Sequence, residues 1–320
     1  MKSGALSPSF RAFAGGLTIG EAETPPKKVN DSAWRASEGL TIDVHVHPWT
    51  RAFMRKNGPI MKACEFFKID FSKLPATTGQ LLDEMAEAGV SQAVILGQDA
   101  HATPNPAFKR YTLRNDEVAA IAAKSGDRLV PFAGVDPNAG RAALVELRRA
   151  VRKLGMRGLK VHSSANSVYI NDRKLMFPIY EFCQQEGLPV LFHTGTTGLG
   201  NCEIRYSRTE LVDEVCQSFP DLRVIMAHFG WPWPDVAIAI ALRNPNVFID
   251  VSGWKPRYTP GSVIPYLNGI LQDRFLFGTD YPMLRQKEWL DDFRVNLEPR
   301  LKPGVKEKLL TKNAKRMLAS

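Results

Sequence analysis

Cysteine is scarce in this sequence of 320 residues, and no two cysteines have the C-x-x-C spacing. The pattern indicates neither a disulfide framework nor a zinc site built from cysteine pairs. The sequence also has no apolar run of the ~18 residues that a membrane-spanning helix needs. Residues 1–39 lack the apolar segment of a signal peptide. We therefore expect a cytoplasmic protein with no membrane partner.

Acidic residues are outnumbered, with 33 Asp and Glu against 42 Lys and Arg, which gives a formal net charge of +9. A basic balance can indicate nucleic-acid binding. Here, however, the basic residues are spread through segments of helical period, such as residues 147–160 and 301–317. Charges distributed in this way are typical of solvated helix faces. We expect no nucleic-acid partner, and the positive charge is compatible with a small anionic substrate.

Short apolar, β-branched runs alternate with amphipathic segments from residue 40 onward, which is typical of a parallel α/β fold. Eight strands are predicted, at residues 40–46, 92–97, 129–135, 158–162, 189–193, 223–228, 247–252 and 274–280. Eight such units predict a (β/α)8 TIM barrel over residues 40–320, with an open doubly wound sheet as the alternative. Residues 1–39, which contain Pro25, Pro26 and several Gly and Ser, are predicted to form a loosely structured arm.

Helices are predicted between the strands. Residues 77–89 begin with Thr77 three residues before Gln80, a candidate capping box, and end at Gly89. Further helices are predicted at residues 138–154, 172–186, 207–218, 233–243, 261–270, 286–297 and 304–319. A long loop, residues 48–76, separates the first strand from the first helix, and loops of this length are usually functional. Because it follows a strand, it would lie on the catalytic face of a barrel, and we expect it to cover the substrate. It carries five large or basic side chains. They are Trp49, Arg51, Phe53, Phe66 and Phe67.

Polar side chains occur where the predicted strands end, and the active sites of barrels are built at these carboxyl ends. Five of the six histidines lie there, together with a lysine in strand four and an aspartate at the end of strand eight. These residues are His45, His47, Lys160, His162, His193, His228 and Asp280. Because they come from distant parts of the sequence, their common position predicts one site.

Asp43, His45 and His47 occupy alternate positions of strand one and should therefore share one face. Two adjacent imidazoles on one face favour a shared metal ion, and imidazole with carboxylate suits Zn²⁺, Mn²⁺ or Fe²⁺. Asp43 is predicted to accept a ring N–H or to orient a neighbouring ligand. Asp280 is predicted to bind the metal, to take a proton from metal-activated water, or to do both.

Five motifs in this sequence together resemble the amidohydrolase superfamily, and within it the amidohydrolase-2 branch of decarboxylases and hydrolases. They are IDVHVHPW, GLKVHSS, LFHTGTTG, IMAHFGWPWP and FGTDYPM, and the resemblance covers residues 40–320. It implies a distorted (β/α)8 barrel. It also implies metal ligands at His45, His47, His193 and Asp280. By the same resemblance His228 acts on the substrate or on metal-bound water, or it binds a second metal.

Lys160 has three possible roles, and they bear on the number of metal ions in the site. It resembles a lysine that some binuclear amidohydrolases carboxylate to bridge two metals. Unmodified, its ammonium could bind a substrate carboxylate, or it could extend to solvent with no role in the site. We therefore expect one or two divalent ions, with zinc first and manganese or iron as alternatives.

The sequence leaves three functions open. The first is a metal-dependent hydrolase of a small carboxylate-bearing lactone, ester or amide, with Asp280 and His228 as catalytic residues. The second is a non-oxidative decarboxylase of an aromatic or muconate-type carboxylate, and the third is a non-catalytic metabolite-binding barrel. The expected partners are a small anionic substrate and a second copy of the chain in a homodimer. The predicted substrate contacts are Trp49, Arg51, Lys160, His162 and Arg205.

Overall fold

The computed structural model describes residues 40–66, 69–74 and 77–319, so the predicted arm lies outside the described residues. Eight strands form one parallel sheet in chain order. They are β1 (Ile42–Val46), β2 (Gln92–Leu96), β3 (Leu129–Gly134), β4 (Leu159–Val161), β5 (Val190–Phe192), β6 (Val224–Met226), β7 (Val247–Asp250) and β8 (Phe275–Leu276). Each lies within or close to a predicted strand, because continuous apolar runs are what strands buried on both faces require.

The sheet closes into a barrel where β8 meets β1. The backbone N–H of Val44 donates to the carbonyl of Phe277 at 2.9 Å, and that of Asp280 donates to the carbonyl of His45 at 2.9 Å. Val46 and Tyr281 form an isolated parallel bridge. The predicted TIM barrel is therefore confirmed, and the open doubly wound alternative is excluded. The closing seam also places His45 beside Asp280.

Thirteen α-helical segments occur in the described part of the chain. They are α1 (Arg51–Arg55), α2 (Gly58–Phe66), α3 (Thr78–Ala88), α4 (Asn115–Ala123), α5 (Arg141–Leu154), α6 (Ser163–Asn166), α7 (Phe177–Gln185), α8 (Leu211–Ser218), α9 (Pro234–Arg243), α10 (Val263–Leu267), α11 (Gln286–Asn296), α12 (Val305–Glu307) and α13 (Asn313–Leu318). Helix α4 is not among the predicted helices. Its apolar residues are mostly alanines, so the sequence shows only a weak helical periodicity of hydrophobic residues. No described helix is long and apolar enough to cross a membrane.

Helix α3 shows the predicted local signals at both ends. The Thr77 side chain accepts from the backbone of Gln80, and the Gln80 side chain accepts from the backbone of Thr77. Gly89 ends the helix in the left-handed conformation, with φ of 73°. This capping is local in sequence, which explains why the sequence predicts it well.

The segment between β1 and α3 is not the loop that the sequence predicts. It contains α1, α2 and a short 3-10 turn at Phe71–Lys73. Thr50 caps α1 by accepting from the backbone of Phe53. Phe67 lies outside the described residues, and a substrate-covering role for this segment stays a prediction.

Apolar side chains from the strands fill the interior of the barrel, and the last helix adds to them. Val44, Val94, Phe132 and Ile225 belong to one buried cluster with Met317 of α13. A separate, larger cluster lies between the strands and the surrounding helices. Five buried histidines lie outside these apolar clusters, at or near the carboxyl ends of the strands: His45, His47, His162, His193 and His228.

Candidate metal centre and active site

The side chains predicted at the ends of β1, β5, β6 and β8 come together in the structure. Asp280 Oδ1 lies 3.3 Å from His45 Nε2 and 3.2 Å from His47 Nε2. His228 Nε2 lies 3.2 Å from His193 Nδ1. The histidines are at least 94% buried, and the Asp280 side chain is 13% exposed. Residues separated by more than 230 positions in sequence thus share one small volume.

Three of these residues have ligand atoms close enough to hold one ion. Those of His45, His228 and Asp280 all lie within 4.8 Å of one another, and the described residues contain no other such group. His47 and His193 adjoin this group through Asp280 and His228. His228 is therefore as central as the four residues predicted to be ligands.

The donor set fits a divalent metal ion. Burial, together with the nearby Lys160 charge, lowers the pKa of His45 to about 3 and places the pKa of His47 well below its usual value. Neutral imidazole is the form that binds metal. His47 Nδ1 and His193 Nε2 are buried without a hydrogen-bond partner among the described residues. A set of neutral imidazoles with one carboxylate suits Zn²⁺, Mn²⁺ or Fe²⁺.

Lys160 is buried in this group instead of extending to solvent, so the third alternative for its side chain is wrong. It is 3% exposed, and its Nζ lies 3.2 Å from His45 Nε2. Burial lowers the pKa of Lys160 to about 8, although Asp280 and Asp250 raise it. Lys160 is not among the residues that line the pocket described below. Its position beneath the histidines does not support the predicted direct contact with substrate.

Asp43 does not accept a ring N–H, the first of its two predicted roles, and its contacts agree with the second, which is to orient a neighbouring ligand. Its carboxylate accepts from the Thr279 hydroxyl at 2.6 Å, from the Gln286 side chain at 2.9 Å and from the backbone of His45 at 3.0 Å. The register of β1 shifts between Asp43 and Val46, so strict alternation fails there. Asp43 thus acts through the backbone of β1 and of the segment before Asp280, and not on an imidazole ring.

Two further residues of the site, Asp250 and Ser252, are missing from the sequence prediction. Asp250 Oδ2 lies 2.8 Å from His45 Nδ1, and the Ser252 hydroxyl lies 2.9 Å from His228 Nδ1. Burial opposes ionisation of Asp250, but the His45 and His228 rings and the Ser252 hydroxyl hold its pKa below the usual value. The available signal was a carboxylate inside the otherwise apolar run VFID at residues 247–250.

The two residues predicted to be catalytic have unusual backbone conformations. The φ angles of His228 and Asp280 are 61° and 63°, in the left-handed region that few non-glycine residues adopt. Such conformations cost of order 1–3 kcal/mol and concentrate at functional sites. Gly253, with φ of 74°, lies against His228, and a Cβ there would come within 2.7 Å of His228 Nδ1.

Gly253→Ala is therefore expected to displace the His228 ring and to lower kcat by roughly 10- to 100-fold, because small misplacements of a reacting group are costly. Steady-state kinetics with a melting curve checks this. Gly155→Ala is the matched control, since Gly155 has nearly the same φ, 73°, and nothing lies within 4 Å of its added Cβ. Full activity in folded Gly253→Ala would show that the position of His228 does not matter.

A pocket that opens to solvent leads to the histidines. It is lined by His47, Trp49, Tyr111, His162, His193, Thr196, Thr197, Gly198, Leu199, His228, Asp280 and Met283. Trp49 stacks on His47 with ring centroids 4.3 Å apart, and His162 stacks on His193 at 4.2 Å. His162 Nδ1 accepts from the backbone of Ala165, which leaves Nε2 as the ring nitrogen free to donate to a ligand. The pocket thus combines flat walls with a few polar groups.

The predicted arginine contacts lie elsewhere. Arg205 is paired with Glu203 at 2.8 Å, and its side chain is 54% exposed. Arg51 begins α1, and neither arginine is among the residues that line the pocket. The structure therefore does not support Arg51 and Arg205 as substrate contacts. The guanidinium of Arg205 already forms an ion pair with Glu203, two residues away in the sequence.

Comparison with known proteins identifies the family. The amidohydrolase-2 model, described as amidohydrolase, matches residues 42–319. The chain belongs to this amidohydrolase family. The predicted family is thus confirmed, and the donor set described above fits the predicted divalent metal.

Relatives of this amidohydrolase include decarboxylases. A 2-amino-3-carboxymuconate-6-semialdehyde decarboxylase of Dictyostelium discoideum is 23% identical over 211 residues, which are 57% of this chain and 58% of that protein. The chain thus matches little more than half of that relative's length.

Solved structures share the fold. An uncharacterised TIM-barrel protein of Bordetella bronchiseptica is 27% identical with a TM-score of 0.68, covering 87% of this chain and 98% of its own. A dihydroxybenzoic acid decarboxylase of Polaromonas sp. JS666, with bound manganese, is 20% identical with a TM-score of 0.63 and covers 88% and 97%.

Proposed function

We propose that this amidohydrolase is a metal-dependent, non-oxidative decarboxylase of a small aromatic or muconate-type carboxylate. The observation that carries the proposal is the compact group at the end of the pocket, where Asp280 Oδ1 lies within 3.3 Å of His45 Nε2 and His47 Nε2 and His228 lines the pocket beside them. Two of the three similar proteins named above are decarboxylases, which favours this alternative over the hydrolase that the sequence put first.

His45, His47, His193 and Asp280 would hold the ion. When bound, a divalent ion supplies positive charge that binds and polarises the oxygen groups of a substrate. Zinc and manganese both fit this donor set, and manganese is bound in a decarboxylase relative of the same fold. We favour one ion, because a single carboxylate oxygen, Asp280 Oδ1, lies within 3.3 Å of both His45 Nε2 and His47 Nε2.

His228 is proposed to deliver the proton that replaces CO2. In this reaction the bond between the substrate carbon and its carboxylate breaks, CO2 leaves, and the carbon gains one proton. His228 lines the pocket, and its Nδ1 is engaged by the Ser252 hydroxyl. Its backbone N–H donates to Asp250 at 3.2 Å. Because Nδ1 and the backbone of His228 are held by Ser252 and Asp250, the opposite ring nitrogen, Nε2, faces the substrate and can deliver a proton to its carbon.

The walls of the pocket favour a flat substrate with one carboxylate. Trp49 and Tyr111 meet edge to face with centroids 5.9 Å apart, and Tyr111 meets His162 in the same way at 5.9 Å. No lysine or arginine is among the described residues that line the pocket. His162 Nε2 and the Thr196 hydroxyl are therefore proposed to contact neutral oxygen substituents of the substrate.

The proposal is tested by following both possible products. Manganese-loaded protein is incubated with 2,6-dihydroxybenzoate and 5-carboxyvanillate labelled with ¹³C in the carboxylate, and in parallel with aryl esters and lactones in H₂¹⁸O. We expect ¹³CO₂ and, in D₂O, one deuterium at the vacated carbon, with metal-stripped protein as the control. Incorporation of ¹⁸O into a new carboxylate without release of CO2 would establish hydrolysis instead.

A further inference from the structure

Asp250 and Ser252 connect two histidines that the proposed reaction uses differently. Asp250 Oδ2 lies 2.8 Å from His45 Nδ1. The Ser252 hydroxyl lies 2.9 Å from His228 Nδ1 and 3.1 Å from His45 Nδ1, and it donates to Asp250 Oδ1. Asp250 and Ser252 are both completely buried, so water does not compete for these hydrogen bonds.

The donors and acceptors of these hydrogen bonds determine which atoms of Ser252, His45 and His228 carry protons. An ionised carboxylate only accepts, so the Ser252 hydroxyl proton points to Asp250. The serine oxygen then has lone pairs left and accepts from His228, which requires the proton on His228 Nδ1. His45 Nδ1 faces Asp250 Oδ2 and must likewise carry a proton. Both rings, when neutral, therefore turn an unprotonated Nε2 towards Asp280 and the pocket.

We propose that Asp250 and Ser252 are one positioning unit that sets the tautomers of His45 and His228 together. His45 is thereby fixed as a metal ligand through Nε2, and His228 as a group that takes up and delivers a proton through Nε2. The second role rests on the proposed function, whereas the tautomers themselves do not. The backbone strengthens the unit, because Asp250 Oδ1 also accepts from the backbone N–H groups of His228 and Ser252, at 3.2 and 2.9 Å.

The two residues should have separable effects. Ser252 makes its shorter histidine contact with His228, so Ser252→Ala releases the His228 ring while Asp250 continues to hold His45. Asp250→Asn replaces an acceptor by a group that can donate, so it disturbs both rings. Loss of a residue that orients a metal-bound histidine typically lowers metal affinity by about 10- to 100-fold. We expect that loss in Asp250→Asn and not in Ser252→Ala.

Nitrogen NMR of the zinc-loaded, ¹⁵N-histidine-labelled protein tests this without substrate, and the chain has only six histidines to resolve. Spectra of His228→Gln and His45→Gln assign the two rings. We expect both to be protonated on Nδ1 in the unsubstituted protein. In Ser252→Ala the His228 ring should exchange between tautomers while His45 and the zinc affinity are unchanged. In Asp250→Asn the ¹⁵N signals of both the His45 ring and the His228 ring should change.

Ser125→Ala is the control, because it removes another buried serine hydroxyl, which donates to the Ala122 carbonyl at 2.7 Å and lies outside the site. It should lower the melting temperature and leave all six histidine spectra unchanged. Protonation of His228 on Nε2 in the unsubstituted protein, or an unchanged His228 signal in folded Ser252→Ala, would overturn the proposal. Correct tautomers in a protein that releases no CO2 would overturn the proposed function and leave this inference standing.

Discussion

Asp280→Asn is expected to lower kcat by about 10²- to 10⁴-fold, the range typical of a lost acid–base or charge-stabilising group. Asp280 Oδ1 lies within 3.3 Å of both His45 Nε2 and His47 Nε2, so its charge acts at the point where these rings meet. Asparagine keeps the shape of the side chain and loses the charge. It also tolerates the left-handed backbone found here, so the fold should be retained.

The measurement is kcat together with metal content and melting temperature. Asp291→Asn is the matched control, because this exposed carboxylate pairs only with Lys287 and Arg294 among the described residues. Exposed pairs contribute about 0–1 kcal/mol, so the control should keep its activity and nearly all of its stability. Asp280→Asn with bound metal and a kcat close to that of the unsubstituted protein would refute the role given to Asp280.

Removal of the divalent metal by a chelator is expected to lower kcat/KM by about 10³-fold, since a bound ion contributes several kcal/mol of charge stabilisation. The described residues that line the pocket include no lysine or arginine to replace that charge. Addition of Mn²⁺ or Zn²⁺ should restore the rate. Metal should also raise the melting temperature, because an ion that binds only the folded chain stabilises it by about 2.7 kcal/mol at 100 times its Kd.

The result is checked by elemental analysis, kinetics and calorimetry on the same samples. Mg²⁺ serves as the control ion, since it prefers oxygen ligands and should restore little activity to a site rich in imidazole. Full activity in protein without bound metal, or a melting temperature that does not respond to Mn²⁺ and Zn²⁺, would contradict a metal-centred site.

The barrel and the position of the site could be predicted from the sequence because both depend on patterns that are local. Each strand is a short apolar run. His193 and His228 follow directly after such a run, and Asp280 follows one after Gly278 and Thr279. Parallel strands closed into a barrel bring their carboxyl ends together. A polar residue at the carboxyl end of any strand can therefore be assigned to the common site.

The remaining features depend on contacts that no local pattern contains. Asp43 follows the alternation rule in sequence, but the register shift in β1 places its carboxylate beside Thr279 and Gln286. Asp250 contacts His45 across 205 positions of the chain. Arg205 had a visible acidic neighbour in Glu203, but only the structure showed that this pair lies away from the pocket.

Anomalous X-ray diffraction from crystals of the manganese- or zinc-loaded protein, measured at the absorption edge of the metal, tests the central claim most directly. The account predicts one peak per chain, about 2.0–2.2 Å from nitrogen or oxygen atoms of His45, His47, His193 and Asp280. His228 should be held by Ser252 on its far side. Two peaks bridged by a carboxylated Lys160, or a peak away from these residues, would contradict the account.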